Sequence, residues 1–297
     1  SSESVIKEVT VTSLSVTGDG YVGGVIGRHN GGTVRNVSAG GAVTGTGSTG
    51  GIIGRSGSDA TISDVSASVT VTGTSFVGGV VGTTGKPITN VDPGEVDGSV
   101  ITNASATGDV RGIKQSNSES LTHAKYVGGL VGFNNANGTI RTASASGDIN
   151  GTETGELIGG LVGGNYGTIR NVSATGSAEG FLQIGGLVGL NDGPATIEKA
   201  SASGGVTGAT DIGGLAGSNR ATLGNASASG AVTIANLGTA SSRIAGGLVG
   251  VNSGTVRDTF AVGSVSSEVS GVTMGGLVGQ NYEGTTDNNG TVRDSYW

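Results

Sequence analysis

Gly159-Gly160-Leu161-Val162-Gly163, followed after a short polar turn by Gly167-Thr168-Ile169-Arg170-Asn171-Val172-Ser173-Ala174-Thr175-Gly176, decides how the rest of this chain is read. A Gly-Gly-apolar-apolar-Gly core starts at Gly23, Gly50, Gly78, Gly128, Gly159, Gly185, Gly213, Gly246 and Gly275. Successive starts lie 27, 28, 50, 31, 26, 28, 33 and 29 residues apart. A period near 28 with one long interval is the spacing of solenoid coils. The second stretch returns as Gly32–Ala39, Thr139–Ala145, Thr222–Ala228 and Gly254–Asp258. Its apolar positions alternate with Thr, Ser and Arg, the period-2 pattern of strands with one buried face. Gly-Gly and Asn-Gly pairs between these runs suit the tight corners that join them.

Composition agrees by exclusion. Of 297 residues 62 are Gly, against a usual share of about 7%, so helical bundles are ruled out by the helix penalty of each interior glycine. Collagen is ruled out because Gly does not recur at every third residue and only 3 Pro are present. Tyr, Phe and Trp number 5, 4 and 1, so a core built on aromatic rings is excluded and the buried material must be Val, Ile, Leu and Ala. Lys and Arg number 15, scattered singly in a chain of net charge −7, which gives no basic stripe for nucleic acid or an anionic membrane. No run of 18 apolar residues occurs. Ser1-Ser2-Glu3-Ser4 lacks a basic region followed by an apolar one, so a soluble chain, or a mature secreted one whose signal has been removed, is expected. With no cysteine, disulfides and thiolate chemistry are absent.

Gly-Gly-Leu-Val-Gly, then Asn, Gly-Thr-Val/Ile-Arg and a run of small residues, resembles the GLUG repeat of large bacterial and archaeal surface proteins. The nearest copies are Gly128–Gly132, Gly159–Gly163, Gly185–Gly189, Gly246–Gly250 and Gly275–Gly279. The resemblance implies an extracellular, cell-surface location. The repeat is known from adhesins, cell-wall proteins and non-catalytic parts of surface peptidases, so no reaction is implied.

The expected fold is all-β: one β-solenoid domain over residues 1–297, parallel β-helix-like, of about nine coils of ~28 residues. Stacked strands make a rod on the order of 40 Å long. Val34, Ile62, Ile140, Ile169, Ile197, Leu223, Val256 and Val292 would form one aliphatic ladder. Ala39, Ala67, Ala106, Ala145, Ala174, Ala202 and Ala228 would form another. The segment 83–126, with its Lys86-Pro87 and Asp92-Pro93-Gly94 turns and polar run Arg111–Lys125, is expected to leave the rod as a loop; Ile234–Arg243 is a smaller extension.

Reactive constellations are scarce. Gly18–Gly23 and Gly45–Gly50 fit a dinucleotide-binding pattern, but no helical period follows either. His29, expected in a turn, and His123 have no evident partners for a metal or a triad. Asp64, Asp258 and Asp294 align at one repeat position, with Asn171, Lys199 and Asn225 in intervening coils. That column reads as a polar corner, without the carboxylates on adjacent coils that a glycosidase needs. No catalytic residue, metal or cofactor is assigned. Seven N-glycosylation acceptors occur, at Asn36, Asn103, Asn137, Asn150, Asn171, Asn225 and Asn289.

No capping segment is legible at either end, since Val5–Thr12 copies the repeat stretch and Gly290–Trp297 stops on it. Three explanations compete: a fragment of a longer surface protein, ends blunted by their charges and bulky tail, or copies stacking end to end, in which case Val5, Val9, Val11, Val292, Tyr296 and Trp297 form the edges at which copies pair. The expected function is that of a non-catalytic extracellular structural protein polymerising with itself into a sheath, layer or fibre. The alternative is an adhesin stalk that binds a surface or glycan through 83–126. Neither nucleic acid nor membrane insertion is expected.

Overall fold

The structure, a computed structural model, describes residues 4–57, 59–85, 98–114, 126–151, 156–282 and 289–297. Every described strand runs parallel to its counterpart one coil away, and the strands build three sheets, here A, B and C. In the first coil the chain follows sheet A over Val5–Gly18, enters sheet B at Tyr21–Gly23, doubles back into sheet C at Ile26–His29 and rejoins sheet A at Gly32. Repetition of that path gives nine complete coils and a final sheet A strand, Thr291–Arg293. Ten levels at the spacing of paired strands make a rod about 43 Å long.

Registration is residue for residue. Val34, Ile62, Ile101, Ile140, Ile169, Ile197, Leu223 and Val256 stack in one ladder, and all are 0% exposed. Val292 continues that ladder but is 38% exposed. Ala39, Ala67, Ala106, Ala145, Ala174, Ala202, Ala228 and Ala261 form the alanine ladder. Burial of apolar area at about 25 cal/mol per Å² is thus spread evenly along the rod.

Ile101 corrects the expected loop, while Ala106 stands in the alanine ladder as expected. Within 83–126, Ser99–Ala106 and Val110–Gly112 are rungs of sheet A, paired with the 14-residue strand Ala60–Gly73 on one side and with Thr139–Ala145 and Ile149–Asn150 on the other. The 50-residue interval therefore holds a coil's own sheet A strands, and its Pro-Gly turn and most of its polar run lie in 86–97 and 115–125, outside the described residues. His29 is corrected too. It is the last residue of a sheet C strand, 4% exposed.

Two glycine columns shape the coil. A Cβ at Gly163 would stand 2.6 Å from the Val127 nitrogen and 2.7 Å from the Gly132 oxygen, so sheets B and C touch backbone to backbone where the Gly-Gly core doubles back. A Cβ at Gly176 would collide with the carbonyl of Gly147 one level below. This column, running through Gly108, Gly147, Gly176, Gly204, Gly230 and Gly263, marks where sheet A breaks into two shorter strands in the later coils.

Facing these backbone contacts, one polar ladder is buried. Asn134, Asn165, Asn191, Asn219 and Asn252, each 0% exposed, pass a hydrogen bond upward: every Nδ2 donates to the Oδ1 of the next asparagine at 2.7–2.8 Å, ending on Asn281. The same amides also turn the chain, as when Asn165 Nδ2 donates to the Gly167 carbonyl at 3.1 Å. Below Asn134 the column continues as Thr84, which donates to Asn134 Oδ1 at 3.0 Å, then Ser56 and His29. Buried amides satisfied in this way fix the rotation of each coil against the next.

Candidate functional site

Sheet A turns a corner midway through every level, and the corner residue is left-handed without being glycine. Glu8, Asn36, Asp64, Asn103, Thr142, Asn171, Lys199, Asn225, Asp258 and Asp294 all have φ between 48° and 55°. Asn and Asp tolerate this region best among non-glycine residues, which explains why they dominate the column. The polar-corner expectation for Asp64, Asp258 and Asp294 holds, with one correction: Asp258 and Asp294 sit on consecutive levels, because the preceding residues Arg257 and Arg293 are paired. Asp258 is occupied by Arg257 Nη1 at 3.0 Å. The four acceptors Asn36, Asn103, Asn171 and Asn225 lie in this column, and all seven, including Asn137, Asn150 and Asn289, are exposed.

One residue before the corner runs a column that sequence spacing conceals. Lys7, Arg35, Arg141, Arg170, Arg257 and Arg293 fall in a single file, interrupted by Ser63, Thr102, Glu198 and Gly224. Six of the basic residues are therefore aligned, contrary to the expectation of single scatter. Two of these charges, Arg170 and Arg257, are offset locally. Glu198 pairs with Arg170 and also accepts from Arg257 Nη2 at 2.8 Å, Arg257 reaching it across Gly224, which has no side chain to block the way. Asp148 makes a second kind of contact between levels: the Ser177 amide and hydroxyl, each at 2.8 Å, hold its carboxyl below the usual carboxylate range.

At the ends of the stack the expected edge residues divide. Val5 is half exposed on the first level, where Val9 and Val11 pair with the second through Val37 and Ala39. Tyr296 and Trp297 lie on the last level, 66% and 69% exposed. Tyr296 bridges Phe260 and stacks on it with centroids 5.6 Å apart. In the preceding coil Gly247 is met by the carbonyl of Gly276, whereas Gly276 is met by the Trp297 indole. Trp297 thus stands where a further coil would turn.

A concave surface lies along the outer seam between the start of sheet B and the end of sheet C. Seven of the aromatic residues gather there: Tyr21, Phe76, Tyr126, Phe133, Tyr166, Phe181 and Tyr282. At the first levels the guanidinium carbons of Arg28 and Arg55 lie 5.7 and 5.5 Å from the Tyr21 ring centroid. Next, Phe76 stacks on Tyr126 at 5.2 Å, and Phe133, 1% exposed, sets its edge against both. Burial, with Glu156 and Asp192 nearby, raises the Tyr126 hydroxyl above its ordinary value. Tyr166 donates to Asp192 at 3.3 Å, and Arg220 binds the same carboxylate oxygen at 3.3 Å. Beyond this point the seam is hollow. Among the described residues no cluster of three or more His, Cys, Asp or Glu is placed to hold a metal ion.

Sheets, ladders and corners of this kind define a β-solenoid repeat protein. Its repeat carries the GLUG motif, whose family model matches residues 123–150 and 154–178. The described part of each matched stretch runs from a sheet B strand through the Gly-Gly corner and sheet C into sheet A, one turn of the rod. No curated protein and no solved structure matches the chain.

Proposed function

We propose that the chain is a non-catalytic structural rod that works outside the cell and joins to further rungs of its own kind in a sheath, layer or fibre. The supporting observation is the set of ladders in register: the aliphatic and alanine columns run through the described coils and the asparagine column runs from Asn134 to Asn281, so each level is a template for the next. At the first level Ile6, Val9, Leu14 and Val16 are only partly buried, as are Val265, Val272, Leu277 and Val278 at the other end. Those faces accept another rung whether flanking sequence or a second copy supplies it. The exterior location is supported by the exposed Asn, Thr and Ser of sheet A and by the family in which the motif occurs.

Sedimentation of this 297-residue chain from about 1 to 500 µM, with electron microscopy of the same samples, tests the reading. Concentration-dependent growth along the rod axis is expected. Because Trp297 overlies the last corner, Trp297→Ala should promote growth. A chain that stays monomeric throughout, with and without Trp297→Ala, would sink the self-joining part of the proposal.

A further inference from the structure

The hollow half of the B/C seam arises from two departures from the repeat. At the sheet C position filled by Phe133, later levels carry Gly164, Leu190, Ser218 and Val251, so the seam loses its aromatic filling. Meanwhile the extra residues of the 33-residue interval before Gly246 do not leave the rod. Thr239–Ser242 form a wall over the seam, tied down by Arg243, which donates from Nη1 to the carbonyls of Ala209 and Ala235 at 3.4 and 3.1 Å and from Nη2 to that of Gly238. Wall and seam border an open cavity of about 770 Å³, within the range of small-molecule sites.

Its lining narrows the occupant. Phe181, Leu182, Val251 and Tyr282 supply apolar faces, while Asp211 and Arg220 supply charge, with hydroxyls around them. Asp211 is half-buried, and burial raises its carboxyl pKa despite a hydrogen bond from Thr210 Oγ1 at 3.1 Å. A purely apolar ligand would strip that carboxyl of water and return nothing. A peptide adding as a strand needs a free backbone edge, and the strands lining the seam are paired on both sides. A polyanion would meet Asp211, and Arg220 already serves Asp192. A neutral ring with hydroxyls on its rim and C–H groups on its faces meets every condition.

We infer that this cavity is a binding site for a neutral oligosaccharide, with Asp211 accepting from sugar hydroxyls and Phe181 and Tyr282 lying against ring faces. The site lies on the flank of the rod and does not depend on rods joining.

Saturation-transfer NMR on the whole chain tests it, with maltotriose, cellotriose and chitotriose at about 5 mM, enough to load a site with a dissociation constant near 1 mM. At least one trisaccharide should receive saturation at its ring protons. Asp211→Ala should weaken that binding at least about tenfold through loss of a charge-assisted hydrogen bond. Thr239→Trp, on the exposed wall and outside sheet packing, should abolish it while leaving the circular dichroism spectrum unchanged. The inference is overturned by no transfer to any of the three sugars, by binding that survives Thr239→Trp, or by stronger binding of trialanine or trigalacturonate. If Thr239→Trp alters the fold, Ala240→Trp on the same wall takes its place, with the same reading.

Discussion

Replacing Asn191 separates the asparagine ladder from ordinary packing. Asn191 is 0% exposed, accepts from Asn165 Nδ2 at 2.8 Å, and donates to Asn219 Oδ1 at 2.8 Å and to the Thr222 carbonyl at 3.3 Å. Asn191→Ala strips Asn219 Oδ1 of this donor and opens a small void. The orphaned Asn219 acceptor and the Asn165 N–H that loses Asn191 Oδ1, at about 1–3 kcal/mol each, plus the missing contacts give a loss of at least about 3 kcal/mol. With a urea slope of about 3 kcal/mol per M for a chain of this size, the midpoint should fall by about 1 M. Asn191→Asp is the sharper variant because it keeps the shape. Ionised, its carboxylate faces Asn219 Oδ1 with no proton to give; protonated, it can donate as the amide did. Burial therefore raises its folded-state pKa above the unfolded value of about 3.9. Its extra stability is complete below that value and is lost as pH rises through the folded value. Urea titrations of both variants, followed by circular dichroism at pH 4 and pH 8, should rank the aspartate variant above the alanine variant in acid and below it in base. Background titration is common to both and cancels in the difference. A difference that does not change between the two pH values would refute the idea that the ladder is held by a directed amide proton.

Other consequences can be checked with the same assay. Gly163→Ala places a methyl group 2.6 Å from a backbone nitrogen and should prevent folding or remove more than about 3 kcal/mol, whereas Gly40→Ala, with its nearest neighbour at 3.8 Å, should be neutral or slightly stabilising. Thr142 is β-branched at φ 51°, so Thr142→Gly should gain about 0.5–1 kcal/mol by relieving left-handed strain, and a loss would contradict that account. Asp148 has a depressed carboxyl pKa, so its contribution is present above about pH 3.9 and lost as pH falls through the folded value. Asp148→Asn should lower stability at pH 7 and flatten the acid limb of the melting profile; an unchanged limb would show that the Ser177 contacts do not matter.

Features repeated at one position of every coil were legible in the sequence. Ile140, Ile169 and Ile197 differ little in identity or spacing, and period-2 alternation assigns their face without coordinates. The fourth coil was legible in part, since Asn103 and Ala106 fall in repeat columns, but Ile101 was not placed because its strand is set off by two long connections and spacing suggested an excursion. The asparagine ladder was half visible. It occupies one offset from the Gly-Gly core, but the first three coils place His29, Ser56 and Thr84 there, so the column looks like a turn preference until the amides are seen bonded across levels. The seam was not legible at all. Its rings come from different repeat positions, such as Tyr126 before the core and Tyr166 after it, and only the fold back between sheets B and C brings them together. The Arg243 tether depends on carbonyl positions that no side-chain pattern encodes.

Registration by single rungs also determines how such a rod behaves under tension. Pulled at its ends, it presents its levels to the load one after another, and a level that peels away releases some 28 residues, about 95 Å of extended chain, in exchange for about 4.8 Å of rod. The whole chain paid out would span about 1,000 Å, more than twenty times its folded length. Because the bonds linking adjacent levels are alike along most of the stack, no single coil is an obvious weak link except the outermost. Extension would therefore proceed as a sequence of similar steps from the ends inward, and a released coil would find its template still standing when the load is removed.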